Sequence, residues 1–239
     1  MNHTTANTVQ ALSARTMQPR RRPASFSQAL AIGLESTGSA DRQILEACIA
    51  QKFDQQYNAQ IHHFLPHLLS LSESEELGAV VGMRLAGQSE CFLERYLDTT
   101  VEQAISRAVR APIDRDQVVE IGNLAAALPG TASLLFAVLA TILHRAGIRW
   151  VVCTATPQIK AMLGNLRFPA RTICDADIAA MGDQADEWGD YYASHPQVIV
   201  GDTRIAAAAV GDSRLMSALI RKLESPINRI AAALKAARQ

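Results

Sequence analysis

"QVVEIGNLAAALPG", residues 117–130, is the stretch from which the fold is read. Val118, Val119 and Ile121 have the character of a buried strand, and Leu124–Leu128 is almost wholly apolar. Glu120 and Asn123 lie inside this run and Gly122 interrupts it. A carboxylate in apolar surroundings is destabilising unless it is paired or used in chemistry. The strand is therefore expected to carry a polar edge. The "LPG" turn after it delivers the chain into "TASLLFAVLATILHRAG", an apolar helix with Thr131 or Ser133 as cap and Gly147 as stop.

Working outward, the same pattern continues on both sides. "SADRQILEACIAQKFDQQYNAQI" (39–61) is an amphipathic helix with Ser39 or Asp41 as cap. Its apolar face is Ile44, Cys48, Ile49, Phe53 and Tyr57. "HHFLPHLLSL" is extended, "SESEE" a turn and "LGAVVGMRLA" (77–86) an apolar strand, so the two extended pieces pair as a hairpin. A helix begins near Thr99 or Thr100. After the apolar helix come the strand "IRWVVCTAT", a helix with Pro157 in its first turn, and the short strand "ARTIC". "ADEWGDYYASHP" reads as a short aromatic helix and "QVIVGDTRIAAAA" as a further extended segment. A basic helix, broken at "ESPIN" with Ser225 as the second cap, ends the chain. The alternation predicts an α/β class with a central mixed sheet flanked by helices.

The 239 residues include 23 basic and 23 acidic side chains, unevenly placed. Residues 1–34 carry four arginines and no acid, residues 213–239 a net +5, and the body between them a net −9. An acidic body argues against a nucleic-acid groove. No apolar run reaches the roughly 20 residues needed to span a bilayer. The four cysteines are scattered without a CxxC pair, which fits thiols in a reducing compartment. We therefore expect a cytoplasmic protein in three parts: a basic tail over 1–27, a domain over 28–212 and a helical extension over 213–239.

"VVGMRL", "VVEIGNLA" and "AGIRWVVCTATPQIKAMLGNLRF" together resemble the acyl-homoserine-lactone (autoinducer) synthases, a branch of the GNAT-type acyltransferase fold. Arg84 and Glu120 match the Arg and Glu that those enzymes place on an early strand and on the fourth strand. The Arg that follows the Glu there is absent, with Asn123 in its neighbourhood. Four longer stretches, "FDQQYNAQIHHFLPHLLSL", "VVGMRLAGQSECFLERYLDTTVEQAI", "VVEIGNLA" and "WGDYYASHPQVIVG", resemble the thermostable hemolysin family in order and spacing over roughly residues 50–201. The resemblance implies a GNAT-like, autoinducer-synthase-like N-acyltransferase fold. It implies an acyl thioester, on acyl carrier protein or coenzyme A, as co-substrate, and a small amine acceptor as partner. No permanently bound cofactor is implied.

Site residues follow on that basis. Glu120 is the expected proton acceptor, with pairing to Arg84 as its structural alternative. Asn123 is expected to hold the acceptor or the thioester carbonyl, or simply to close a turn. Arg84 binds the acceptor's carboxylate or neutralises Glu120. The family loop motif is Gln/Arg-x-x-Gly-x-Gly/Ala, and "ALPGTA" matches it at Gly130 and Ala132, with Ala127 at the polar first position. Leu124, Ala125, Gly130, Thr131, Ala132 and Ser133 are thus expected to cradle the carrier arm. Glu94, Tyr96, Trp188, Tyr191 and Tyr192 are expected to line the substrate pocket, against the alternatives of a solvated charged face and a covered core edge. His62, His63 and His67 lack an acidic ligand at matching spacing, so no metal site is expected. The rival classes are a membrane-active, hemolysin-like protein and an acyl-binding protein without catalysis. The basic C-terminal helix meets an acidic carrier protein, an anionic membrane or, most simply, the domain itself.

Overall fold

A computed structural model describes residues 29–238. The tail assigned to residues 1–27 lies outside the described residues. Seven strands form one sheet: β1 (Leu30–Ser36), β2 (His67–Glu73), β3 (Glu76–Leu85), β4 (Val118–Ala126), β5 (Trp150–Ala155), β6 (Ala170–Asp175) and β7 (Gln197–Asp202). Their spatial order is β1-β2-β3-β4-β5-β7-β6. All neighbours are antiparallel except β4 and β5.

That parallel pair governs the rest. β4 and β5 are in register only over Val118–Glu120 against Trp150–Val152. Beyond this point β4 stays bonded to β3 as far as Ala126, and β5 stays bonded to β7 as far as Ala155. Each strand follows its outer neighbour, so the sheet opens between them at their carboxyl ends. Such an opening is where ligands enter parallel strand pairs.

Helices cover both faces. On one lie α1 (Arg42–Tyr57), α2 (Val101–Val109) and the 3-10 segments Phe92–Tyr96, Ile178–Trp188 and Tyr191–Ser194. The other carries α3 (Thr131–Arg145), α4 (Pro157–Asn165), α5 (Thr203–Asp212), α6 (Arg214–Lys222) and α7 (Glu224–Ala237). An all-apolar helix must be covered all round. α3 meets this by lying between the sheet and α5–α7, with Leu134–Leu143 buried. Leu219, Leu223, Ile227, Ile230 and Leu234 belong to the same core cluster, so α6 and α7 pack into the core that α3 occupies.

Several local readings are corrected. Leu30–Ser36, given no element from the sequence, is the edge strand beside β2; its Leu30, Ile32 and Leu34 alternate as a strand requires. The extended segment expected over 197–209 ends at Asp202, whose carboxylate accepts the Arg204 N–H and starts α5 over the alanine run. α3 is capped by Gly130 with φ 83°, not by Thr131 or Ser133. Asp41 stands at the start of α1 without a side-chain cap bond, and the last helix starts at Glu224, before Ser225.

Candidate functional site

The opening between β4 and β5 holds a cavity of about 360 Å³. Its lining comes from both faces of the sheet. Phe53, Tyr57, Phe92, Tyr96, Trp188 and Tyr191 belong to the α1 side, and Ile121, Leu124, Phe136, Ile159 and Met162 to the α3–α4 side. The polar lining is sparse and includes Glu120, Arg84, Asn123, Thr154, Thr156 and, from α1, Lys52 and Gln56.

Glu120 is 3% exposed. Its Oε1 accepts the Leu93 N–H at 2.8 Å and its Oε2 the Phe92 N–H at 2.9 Å. Arg84 stands directly opposite on β3, with Nη1 3.4 Å from Glu120 Oε2 and 2.9 Å from the Glu90 carbonyl. Burial pushes the Glu120 carboxyl above the ordinary range, although the two N–H bonds and the Arg84 charge pull it back. The carboxylate therefore ties the Phe92–Tyr96 turn to the sheet while lining the cavity. Arg84 Nε is buried and has no hydrogen-bond partner among the described residues. A buried donor left unpaired is destabilising by about 1–3 kcal/mol.

Asn123 has φ 50° and lies in a β-bulge, where Asn123 and Leu124 together face the single residue Val81. Its amide is committed: Oδ1 accepts the Leu65 N–H at 2.9 Å and Nδ2 donates to the His63 carbonyl at 3.4 Å. Gly82 and Gly122 pair across the strands beside it, and Leu65 packs over both. A Cβ on Gly82 would lie 2.9 Å from that of Leu65. The bulge thus fixes one wall of the cavity, and the expected hydrogen bond from Asn123 to a substrate competes with two bonds already made.

Of the expected carrier-binding residues, Leu124, Ala125 and Ala132 line the cavity, whereas Gly130, Thr131 and Ser133 do not. The Thr131 hydroxyl lies 2.7 Å from the Gly78 carbonyl and 2.6 Å from that of Leu128. The Gly78 carbonyl also accepts the N–H groups of Ala127 and Leu128, which locks the turn against β3. The first turn of α3 reaches the cavity through Ala132.

Tyr96, Trp188 and Tyr191 line the cavity; Tyr192 does not, and its hydroxyl meets that of Tyr96. Trp188 is set by the preceding chain. Gln60 N–H bonds to the Glu187 carbonyl and Asp190 N–H to that of Tyr57, each at 2.7 Å. Glu94 is displaced from the expected pocket altogether. It accepts from Arg115 Nη1 at 2.6 Å and Nη2 at 2.9 Å, from Val101 N at 2.8 Å and from Cys91 N at 2.7 Å. Burial pushes its carboxyl up, but these bonds and the Arg115 charge hold it at about 2. It is the hub that caps α2 in place of Thr100.

The sequence reading missed the α1 residues Lys52, Phe53, Gln56 and Tyr57, the β5–α4 residues Cys153, Thr154, Thr156, Gln158, Ile159 and Met162, and also Phe92 and Phe136. Thr154 and Thr156 had a readable signal, since they flank the carboxyl end of a strand in an α/β pattern. Burial, with the Glu120 charge adding to it, pushes the Cys153 thiol up to about 12. His67 pairs with Ser36 Oγ at 2.9 Å, and no cluster among the described residues could hold a metal ion. No helix among them is long and apolar enough to cross a membrane.

A family model described as thermostable hemolysin matches residues 35–207. No curated protein matches the chain. Among solved structures, the chain is similar to the AHL (acyl-homoserine-lactone) synthase LasI, with a TM-score of 0.52 at 10% identity over 76% of this chain and 94% of that one. It is also similar to FeeM, an N-acyl amino acid synthase from uncultured soil microbes, with a TM-score of 0.51 at 14% identity over 81% and 98%. At this identity the likeness is one of fold, and the fold is the GNAT-like, autoinducer-synthase-like one expected from the sequence.

Proposed function

The chain belongs to the thermostable hemolysin family, and from that premise we propose that it is an N-acyltransferase. It moves a fatty acyl group from a carrier thioester to the amine of a small, amino-acid-like acceptor. The observation that carries the reading is the cavity at the parting of β4 and β5. It is apolar on one side, and on the other it holds a buried carboxylate and an arginine with a free donor.

The carrier, acyl carrier protein or coenzyme A, reaches the cavity past Ala132, where the first N–H groups of α3 lack helical partners and favour an anionic arm. The thioester carbonyl lies beside the Asn123–Leu124 bulge, where a backbone N–H taken off the ladder can stabilise developing oxyanion charge. The acceptor enters from the Arg84 side, and Arg84 Nε supplies the unused donor for its carboxylate. Its nitrogen attacks the thioester carbon, forming the C–N bond as the C–S bond breaks. The amine proton passes to Glu120, directly or through a water, and then to the departing thiolate. Asn123 serves as a positioning residue, holding Leu65 and His63 as one wall. Reaction in the cytoplasm, where acyl thioesters are made, fits this chemistry.

Purified protein given an acyl thioester and pooled amino acids should release free thiol only when both are present. Glu120→Gln should lower the rate by about 100-fold or more while the melting curve stays cooperative. Unchanged release in a folded Glu120→Gln variant removes Glu120 from the chemistry. The two N–H bonds and the Arg84 contact at Glu120 favour one second reading, an acyl-binding protein in which the carboxylate is purely structural. That protein would bind acyl chains and release no thiol.

A further inference from the structure

A second, smaller cavity of about 60 Å³ lies behind the first, on the α3 side of the sheet. The two share three lining residues, Ile121, Phe136 and Cys153. Phe136 is 6% exposed and projects from α3 between them. One helical turn on, the small side chain of Ala140 lines only the second cavity. The walls there are apolar, from Leu139, Leu143, Leu163 and Phe168. One charged side chain, Asp202, lies in that lining, and Arg149 and Arg204 already bind it.

An empty apolar space that continues the line of an apolar site has one natural occupant, the end of an alkyl chain. We infer that Phe136 sets the acyl-chain length of this protein: the chain runs along Ile121 and Met162 and stops against the Phe136 ring, and a smaller residue there joins the two cavities. The inference rests on the acyl-transfer reading for where the chain begins. The volume behind the ring corresponds to about two water-sized groups, so the preferred chain should lengthen by roughly two to four carbons once the ring is removed.

The test uses the full chain and a homologous series of straight-chain fatty acids displacing a fluorescent apolar probe, so it needs no catalysis. Phe136→Leu and Phe136→Ala should shift the best-binding acid to longer chains, favouring it over the wild-type optimum by about tenfold. Phe136→Trp should shift it to shorter ones. Phe136→Leu combined with Ala140→Phe should return it, because the second ring fills the opened space. Melting curves identify the folded variants, and Phe136→Leu, the milder change, serves if Phe136→Ala does not fold. An unaltered order of chain-length preference in the folded variants overturns the inference. Thiol release from the matching acyl-coenzyme A series separates it from the transfer reading. A shifted binding order with no thiol released keeps Phe136 and removes transfer, whereas thiol release with an unshifted order removes Phe136 and keeps transfer.

Discussion

Glu120 and Glu94 are carboxylates on neighbouring segments, and their surroundings push them in opposite directions. Burial raises Glu120, so it is a better proton acceptor than a free glutamate and ionises later as pH rises. If it is the base, the transfer rate should climb with pH along a limb centred above the ordinary Glu value of 4.5, and Glu120→Gln should abolish that limb; a pH–rate profile reads this directly. Glu94 is held at about 2 by Arg115 and two backbone N–H groups. A depressed acid contributes stability that is present above its unfolded value and lost as pH falls through its folded one. Acid unfolding should therefore draw on Glu94 between about pH 4.5 and 2. Glu94→Gln should be less stable at neutral pH by about 3 kcal/mol in urea melts and should show a flatter acid decline. The sequence made Glu120 conspicuous because its neighbours are apolar. It could not separate Glu94 from a pocket residue, because Arg115, its partner, arrives from 21 positions further on.

Among the elements, β4 decides most, and it was legible: its apolar run, its following turn and the buried helix after it all have the expected character. What the sequence withheld was the bulge, since Gly122 and Asn123 read equally well as a strand end. The bulge rests on contact with Leu65, which comes from 58 residues earlier. β1 and α5 were misread for a simpler reason. β1 lies at the sheet edge with only partly buried side chains, and β7 passes into α5 without a break because Asp202 is both strand end and helix cap. Gly189 gives a prediction at this scale. With φ 47° and ψ −126°, it lies where a Cβ would come 2.2 Å from the Tyr57 carbonyl. Gly189→Ala should therefore destabilise the fold by about 2 kcal/mol or more, and it should loosen Trp188 in the cavity wall, seen as a change in tryptophan emission.

At the largest scale, two faces of one sheet meet at the opening between β4 and β5, and helices from distant parts of the chain complete it. The aromatic wall is contributed by Phe53 of α1 and by Trp188 and Tyr191, which lie 135 and 138 positions further on. Such a wall is invisible to periodicity, which sees only one element at a time. The C-terminal helices show the same dependence. Ile227, Ile230 and Leu234 of α7 are buried against the core, each worth about 2 kcal/mol of burial. Truncation after Lys222 should abolish the cooperative melt, whereas a detachable extension would leave it intact. The proposed transfer reaction is decided by its product. Purified protein should be incubated with an isotopically labelled acyl thioester and pooled amino acids, and the mixture examined by mass spectrometry. The account predicts a labelled N-acyl amino acid that is lost in Glu120→Gln. Labelled thioester recovered intact, with the protein folded and the acyl chain bound, would contradict it.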